Sequence, residues 1–482
     1  MPIVRGAPCE GLAGSFSKVH GEVTGALLGR QERIKGGLFV RGEIGGGRHA
    51  CSVPSLTRTE DATPRPNRTD MMKRTPAPYR GEYDDRTIGL RLRRVRLDRG
   101  MTLQVVADLS GTSRAQLSKI ETGLVALDSH ALLFALADTL RIAPGDLMAL
   151  PIPAPANGNT DSSVEAVRQA LMAVTDGFPG GEVQPVAQLR QRYQEIVDKN
   201  RQEHGDFKDC GAVLPGLIAD LHTTLDQRRD VAELLSLAVV LHSGPVGSFL
   251  GIAGASTDLR WQDVMIARML AEELEDSILL TFVTNRATGI TCDNGMFDLA
   301  RDKLDATTVS SATSDGQQVA GMLALNRSVV AMGQGCLSET AAALEYAAEL
   351  AAHITVDPFS TGLGHVIGFS PVAVDLWRMF TALESGDPDE VIRIAQTMNP
   401  QENPFVAFQA ACWSNYGRAL TQVRRRDDAA RALLRAEKLH PVRALRGIFT
   451  RETLVELVAH PPKDATLRRD IRGMAYRARL PL

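Results

Sequence analysis

The spacing of apolar residues along the chain changes near residue 86. Residues 1–85 are rich in Gly, Arg, Ser, Thr and Pro and show little periodicity. GGLFVRGEIGGGRHA (Gly36 to Ala50) could form one short strand, but no partner strand follows. A segment of this kind is expected to be a disordered N-terminal extension. From Arg86 the pattern becomes helical: Ile88, Leu92 and Val95 fall at i, i+4 and i+7. They mark one apolar face, with Arg91, Arg93, Arg94, Arg96 and Arg99 around the rest. Gly100 is a natural stop. Thr102 suits the N-cap of a short helix over LQVVADLS. Gly111 follows, able to take positive φ in a tight turn. Ser113 and Gln116 fit a capping box for the next helix, which runs to about Thr122 before Gly123. Leu117 and Ile120 are its inward positions, so its polar residues are left facing outward. A fourth helix follows Asp128 and Ser129, with Leu132, Leu133, Leu136 and Leu140 on its apolar side. A fifth starts near Pro144 and carries Leu147 and Leu150. PIPAPANGNTDSS (Pro151 to Ser163) then reads as a linker.

Residues 164–482 are dominated by further helical patterns, among them VEAVRQALMAV, VAQLRQRYQEIV and SETAAALEYAAELAAHI. Strands are hard to place. A search for repeats finds one clear unit, WSNYGRALTQVRRRDDAARALLRAEKLHP. In it Trp413, Tyr416, Gly417, Leu420, Ala429, Leu433, Ala436 and Pro441 keep every step of the tetratricopeptide (TPR) pattern, which this segment resembles. The small residues there let two antiparallel helices approach, and the proline closes the second helix. Ile392, Ala395 and Pro400 reproduce the last three positions 41 residues upstream. Met322 to Ile354 suggests another helix pair. One apolar run, Leu234 to Thr257, has no Asp, Glu, Lys or Arg. Ser243 to Pro245 interrupts it, so two buried helices joined at Pro245 are expected rather than a membrane span.

Five short helices with a tight glycine turn before a polar third helix make a helix-turn-helix unit. Residues 86–150 resemble the Cro/phage-repressor (XRE) type of helix-turn-helix domain. The resemblance rests on RGMTLQVVA (Arg99 to Ala107), the step from Ala107 to Gly111, and SRAQLSKIETG ending at Gly123. It implies that the helix at about 113–122 enters the major groove of double-stranded DNA. Ser113, Arg114, Ala115, Ser118 and Lys119 would then face the groove, with Thr112 and Gln116 near the backbone. Arg114 is suited to gripping guanine, Ala115 to meeting a thymine methyl, and Lys119 to guanine or phosphate. The remaining first-helix arginines are suited to phosphate contacts. The resemblance also implies a structural ion pair between Arg96 and Glu121, and binding as a homodimer.

The expected architecture is therefore all-α. It comprises a disordered extension (1–85), a five-helix DNA-binding domain (86–150), a linker (151–163) and a TPR-like α-solenoid (164–482). Met71 and Met72 stand just before the first organised segment, and translation is expected to start there if residues 1–70 are dispensable. Composition fits a soluble chain, with 44% hydrophobic and 23% charged residues in 482. The net charge of −3 conceals an asymmetry: residues 1–70 and 71–150 each carry +3, and residues 151–482 carry −9. A basic front suits a polyanion. The six cysteines form no CxxC, which fits a reducing cytoplasm and gives no zinc site. No basic patch followed by an apolar run marks a secretory signal. His242, His353 and His365 stand apart from one another and from carboxylates at metal spacing. TGLGHVIGFS (residues 361–370) lacks the order of a dinucleotide-binding loop. Cys336 reads as a small residue at a helix turn. No catalytic constellation, cofactor motif or metal set appears.

These features point to a cytoplasmic, sequence-specific transcriptional regulator whose helical repeats sense a peptide or protein effector, dimerise, or do both. The alternative is a TPR-type interaction scaffold whose helix-turn-helix domain is vestigial or docks protein.

Overall fold

A computed structural model describes residues 86–150, 159–201, 207–227, 229–354, 357, 359 and 362–481. The extension at 1–85, the two methionines and most of the segment read as a linker lie outside the described residues. Every regular element among the described residues is helical.

The first five helices are α1 (Ile88–Asp98), α2 (Leu103–Leu109), α3 (Arg114–Glu121), α4 (His130–Thr139) and α5 (Pro144–Met148). Their starts are set by side-chain caps. Thr87, Thr102, Ser113 and Ser129 each accept a backbone N–H from the first turn of α1 to α4, satisfying donors that a helix start leaves open. Pro144 stands at the start of α5. Gly100, Gly111 and Gly123 take φ of 64°, 71° and 70° at the chain reversals. Ile88, Leu92, Val106, Leu117, Ile120, Leu133, Leu136 and Leu147 close one core beneath the five helices.

The helices that follow pack largely against their near neighbours in the chain. They are α6 (Asn159–Thr175), α7 (Val186–Lys199), α8 (Phe207–Leu225) and α9 (Val231–Leu241). A π turn (His242–Val246) leads into α10 (Gly247–Ala253), α11 (Thr257–Leu274), α12 (Ser277–Asp293) and α13 (Phe297–Asp305). Then come α14 (Ser314–Gly333), α15 (Leu337–Ala352), α16 (Gly364–Ile367), α17 (Pro371–Glu384) and α18 (Pro388–Thr397). The last are α19 (Val406–Gln422), α20 (Arg426–Leu439), α21 (Pro441–Arg446), α22 (Ile448–Ala459) and α23 (Ala465–Arg477). The most extensive hairpins are α19 with α20 and α14 with α15. In the former, a Cβ on Gly417 would lie 2.7 Å from Leu433 Cδ2. The two helices therefore meet where glycine leaves room. Leu420, Ala429, Leu433 and Ala436 are fully buried there. Trp413 and Tyr416 pack ring to ring at 6.1 Å. Pro441 follows the end of α20 and opens α21.

Two boundaries differ from the sequence reading. Helix α6 begins at Asn159, so residues 159–163, read as the end of a linker, are helical. Asp161 in its first turn complements the helix dipole and pairs with Arg446. The apolar run at Leu234–Thr257 also does not break at Pro245. Helix α9 passes through the π turn into α10 without interruption. The extra residue of a π turn relaxes the regular ladder where proline lacks an N–H. Two helical runs, Val231–Ala253 and Gly364–Glu384, are apolar and long enough to cross a membrane, but both are mostly buried in the protein.

Candidate nucleic-acid interface

Helix α3 is held from three sides. Ser113 Oγ accepts the Gln116 N–H at 3.1 Å and starts the helix. Leu117 and Ile120 anchor its inner face in the core. At its end Glu121 is clamped by Arg96 of α1, with Nε to Oε1 at 2.6 Å and Nη2 to Oε2 at 2.7 Å. Arg96 also donates through Nη1 to the Met101 carbonyl at 3.0 Å. The pair is buried, and the hydrogen bond to Glu121 raises the Arg96 pKa further. The bidentate geometry fixes the angle between α1 and α3.

The outer face of α3 carries Arg114, Ala115 and Lys119, all exposed, with Ser118, Gln116 and Thr112 half-buried beside them and Ser113 exposed at the cap. The side chains of Arg114 and Lys119 make no hydrogen bond or ion pair among the described residues. The seven residues expected to meet DNA thus lie along one end and one face of one helix and the turn before it. Two first-helix arginines are committed elsewhere. Arg91, read as a phosphate contact, is buried and donates through Nε to the Leu147 carbonyl at 2.7 Å, tying α1 to α5. Arg99 donates to the Arg141 carbonyl at 3.0 Å. Arg93 is exposed.

The opposite side of the unit is docked on the C-terminal helices. Glu452 of α22 accepts the Ile88 N–H at 3.0 Å, and Glu456 accepts the Ala126 N–H at 2.9 Å. Glu384 of α17 accepts the His130 N–H at 2.8 Å and faces its Nδ1 at 2.9 Å. Asp128 takes Arg418 Nε and Gln422 Nε2, both at 2.6 Å. Burial raises the carboxyls of Asp128, Glu452 and Glu456. Burial also pushes Glu384 upward, but its bonds to His130 and the charge of Arg418 outweigh that, leaving its pKa below the usual range. Phe134 meets Phe297 edge to face at 5.7 Å, and Gly123 meets Val455 closely enough that a Cβ would lie 2.7 Å away. None of these contacts uses Arg114, Ala115 or Lys119, so docking leaves the outer face of α3 open.

Nothing in the local sequence signals this docking, because its hydrogen-bonded partners are separated by 254 to 364 residues. The histidines that stand apart in sequence are also joined in space. His242, in the π turn, lies 2.7 Å from Asp263 Oδ1 and 2.9 Å from His222 Nε2, all three buried. Burial drives the His222 pKa down to about 3. His365 Nδ1 accepts from Arg201 at 3.1 Å. His353 is exposed and bonds the Glu349 carbonyl. Cys336 stands at the turn before α15 and makes no capping bond through its side chain. Among the described residues no three His, Cys, Asp or Glu side chains group as metal ligands.

Residues 87–150 match the family described as a helix-turn-helix domain. No curated protein matches the chain. Among solved structures, the chain is similar to the apo form of the competence regulator ComR from Streptococcus vestibularis. The two share 14% identity over 82% of this chain and 99% of that one, with a TM-score of 0.20.

Proposed function

We propose that the protein is a sequence-specific DNA-binding transcriptional regulator that acts as a homodimer in the cytoplasm. Helix α3 is its reading element. Arg114 grips a guanine edge, Ala115 meets a thymine methyl and Lys119 holds guanine or phosphate. Ser113, Thr112, Gln116 and Ser118 fix the register on the backbone. Arg96 and Glu121 position the helix and touch no DNA. The TPR-like array from α6 to α23 carries effector sensing and dimerisation.

The observation that supports this most strongly is the division of the helix-turn-helix surface. Its docked side is satisfied by carboxylates and aromatic contacts. Its other side leaves two exposed cations on a helix pinned at both ends. A protein-docking scaffold would not need that cationic face kept clear. Selection of genomic fragments by the full chain at roughly 150 mM salt tests the reading, with Arg114→Ala/Lys119→Ala as control. Enrichment of a two-fold-symmetric site, lost in the control, supports it. Equal, salt-labile binding of all fragments by both proteins contradicts it.

A further inference from the structure

The helical array forms an open-mouthed hollow of about 260 Å³. Its wall is built from distant parts of the chain: α7 and α8, the π turn and α10, α12, α14, α16 and α17, and α19 and α21. Phe249, Trp377, Phe405 and Phe408 make it largely apolar. Two guanidinium groups, of Arg286 and Arg443, also line it, and no Asp or Glu does.

Neither guanidinium has a hydrogen bond or ion pair among the described residues. Asp263 and Asp293 act on the charge of Arg286 without pairing to it; Asp293 is bonded to Arg260 at 2.8 Å and Asp263, through Oδ1, to His242 at 2.7 Å. Arg443 has no acid acting on it, and its one charged-state neighbour is Cys412, whose thiol burial pushes far upward and so keeps neutral. Arg443 is solvent-accessible yet so surrounded by protein that desolvation lowers its pKa. Burial does the same to Arg286. His440, beside Arg443, accepts that residue's backbone N–H, and burial drives its pKa to about 4, so it adds no charge. A cation held in an apolar concavity without a counter-ion lowers stability. Arg443 is such a cation, and it shares the hollow with Arg286, whose charge Asp263 and Asp293 offset only from beyond ion-pair distance, in a part of the chain whose net charge is −9. Several other arginines of the array are paired, as Arg192 is with Asp220 and Arg477 with Glu437.

We propose that this hollow binds a small organic anion with an apolar body, its carboxylate or similar head held by Arg443 and Arg286 and its body packed against the aromatic wall. The proposal rests on the reading of the array as the effector-sensing part and gives that effector a chemistry. The volume falls just below the usual range of ligand pockets, about 300–1,000 Å³, and suits a compact acid rather than an extended peptide.

The test uses the full chain and three probes, phenylacetate, indole-3-acetate and octanoate, each beside its neutral amide. Thermal melting and calorimetry read binding. At least one acid raises the melting temperature saturably while its amide does not, and Arg443→Gln weakens that acid about tenfold or more, as expected for a lost charge-assisted hydrogen bond. Arg286→Gln does the same. If its helicity falls, Arg443→Gln decides, because that side chain is solvent-accessible. Silence from all three acids, equal binding of acid and amide, or full affinity in Arg443→Gln would overturn the proposal. So would tight binding of a leucine-ended heptapeptide where no acid binds. DNA selection by the unliganded wild-type chain keeps the two readings separate. An enriched site with no acid bound removes only the anion proposal, and bound acid with no enriched site removes only the DNA reading.

Discussion

Glu384 places both of its carboxylate oxygens on His130, one on the backbone N–H at 2.8 Å and one at the ring Nδ1 at 2.9 Å. His130 is the first residue of α4, where backbone donors have no partner within the helix. The C-terminal array thus supplies both a cap and a negative charge to a helix start of the helix-turn-helix unit. Glu452 and Glu456 repeat the device at Ile88 and Ala126. The unit is consequently held by carboxylates belonging to the array, so a shift of α17 or α22 would move α3 with it.

Replacing Glu384 by Ala leaves the part-buried His130 donor unpaired and is expected to destabilise the fold by about 1–3 kcal/mol. Glu384→Gln keeps an acceptor and loses only the charge. Because the Glu384 pKa is depressed below its ordinary 4.5, its charge contributes fully above that pH and is lost as pH falls through the folded value. Urea unfolding of wild type and Glu384→Gln should therefore differ at pH 7 and converge in acid. A difference constant with pH would show that the charge of Glu384 plays no part.

Arg96→Met leaves Glu121 buried without its cation and should cost about 3–5 kcal/mol. Arg96→Met/Glu121→Leu should regain most of that loss, because the desolvated charge is then gone. Denaturant midpoints of the three chains check this. A double variant no more stable than the single one would mean that geometry, not charge burial, dominates.

Burial holds His222 neutral down to about pH 3, whereas an unfolded histidine takes a proton near pH 6.5. Its folded pKa lies below the unfolded one, so the unfolded state binds more protons and stability falls as pH drops below about 6.5. The slope is up to about 1.4 kcal/mol per pH unit. Carboxylates raised by burial act in the opposite sense, so the informative quantity is the difference from His222→Gln. That variant should lose less stability than wild type between pH 7.5 and 5.5. Parallel losses would place the acid sensitivity elsewhere.

Gly417→Ala puts a methyl 2.7 Å from Leu433 Cδ2 at the closest approach of α19 and α20. Overpacking of this kind costs about 1–3 kcal/mol. Thermal unfolding should show a lower melting temperature with helicity retained. An unchanged melting temperature would mean that Leu433 yields freely.

What local chemistry dictates was legible in the sequence. The caps at Thr102 and Ser113, the glycine stops, the inward Leu117 and Ile120, and the close approach at Gly417 all follow from residue type and spacing over a few positions. The Arg96–Glu121 bond came from a family resemblance, since no rule of spacing links residues 25 apart. What escaped depends on distant pairings. Arg91 reads as a surface arginine until α5 folds over it. His222, His242 and Asp263 carry no metal-ligand spacing, and only the packing of α8, the π turn and α11 joins them. Pro245 signals a break, whereas a π turn absorbs it. The lining of the hollow is drawn from segments spread between residues 196 and 443, beyond the reach of any local pattern.

The central claim is that α3 reads base sequence through Arg114. The most direct test is the affinity of wild type and Arg114→Ala for the selected site and for a scrambled duplex, measured across a salt series. The account predicts that Arg114→Ala loses about 1–3 kcal/mol on the selected site. It also predicts little change on the scrambled duplex, which only phosphate contacts hold. An equal loss on both duplexes, or no loss on either, would contradict it.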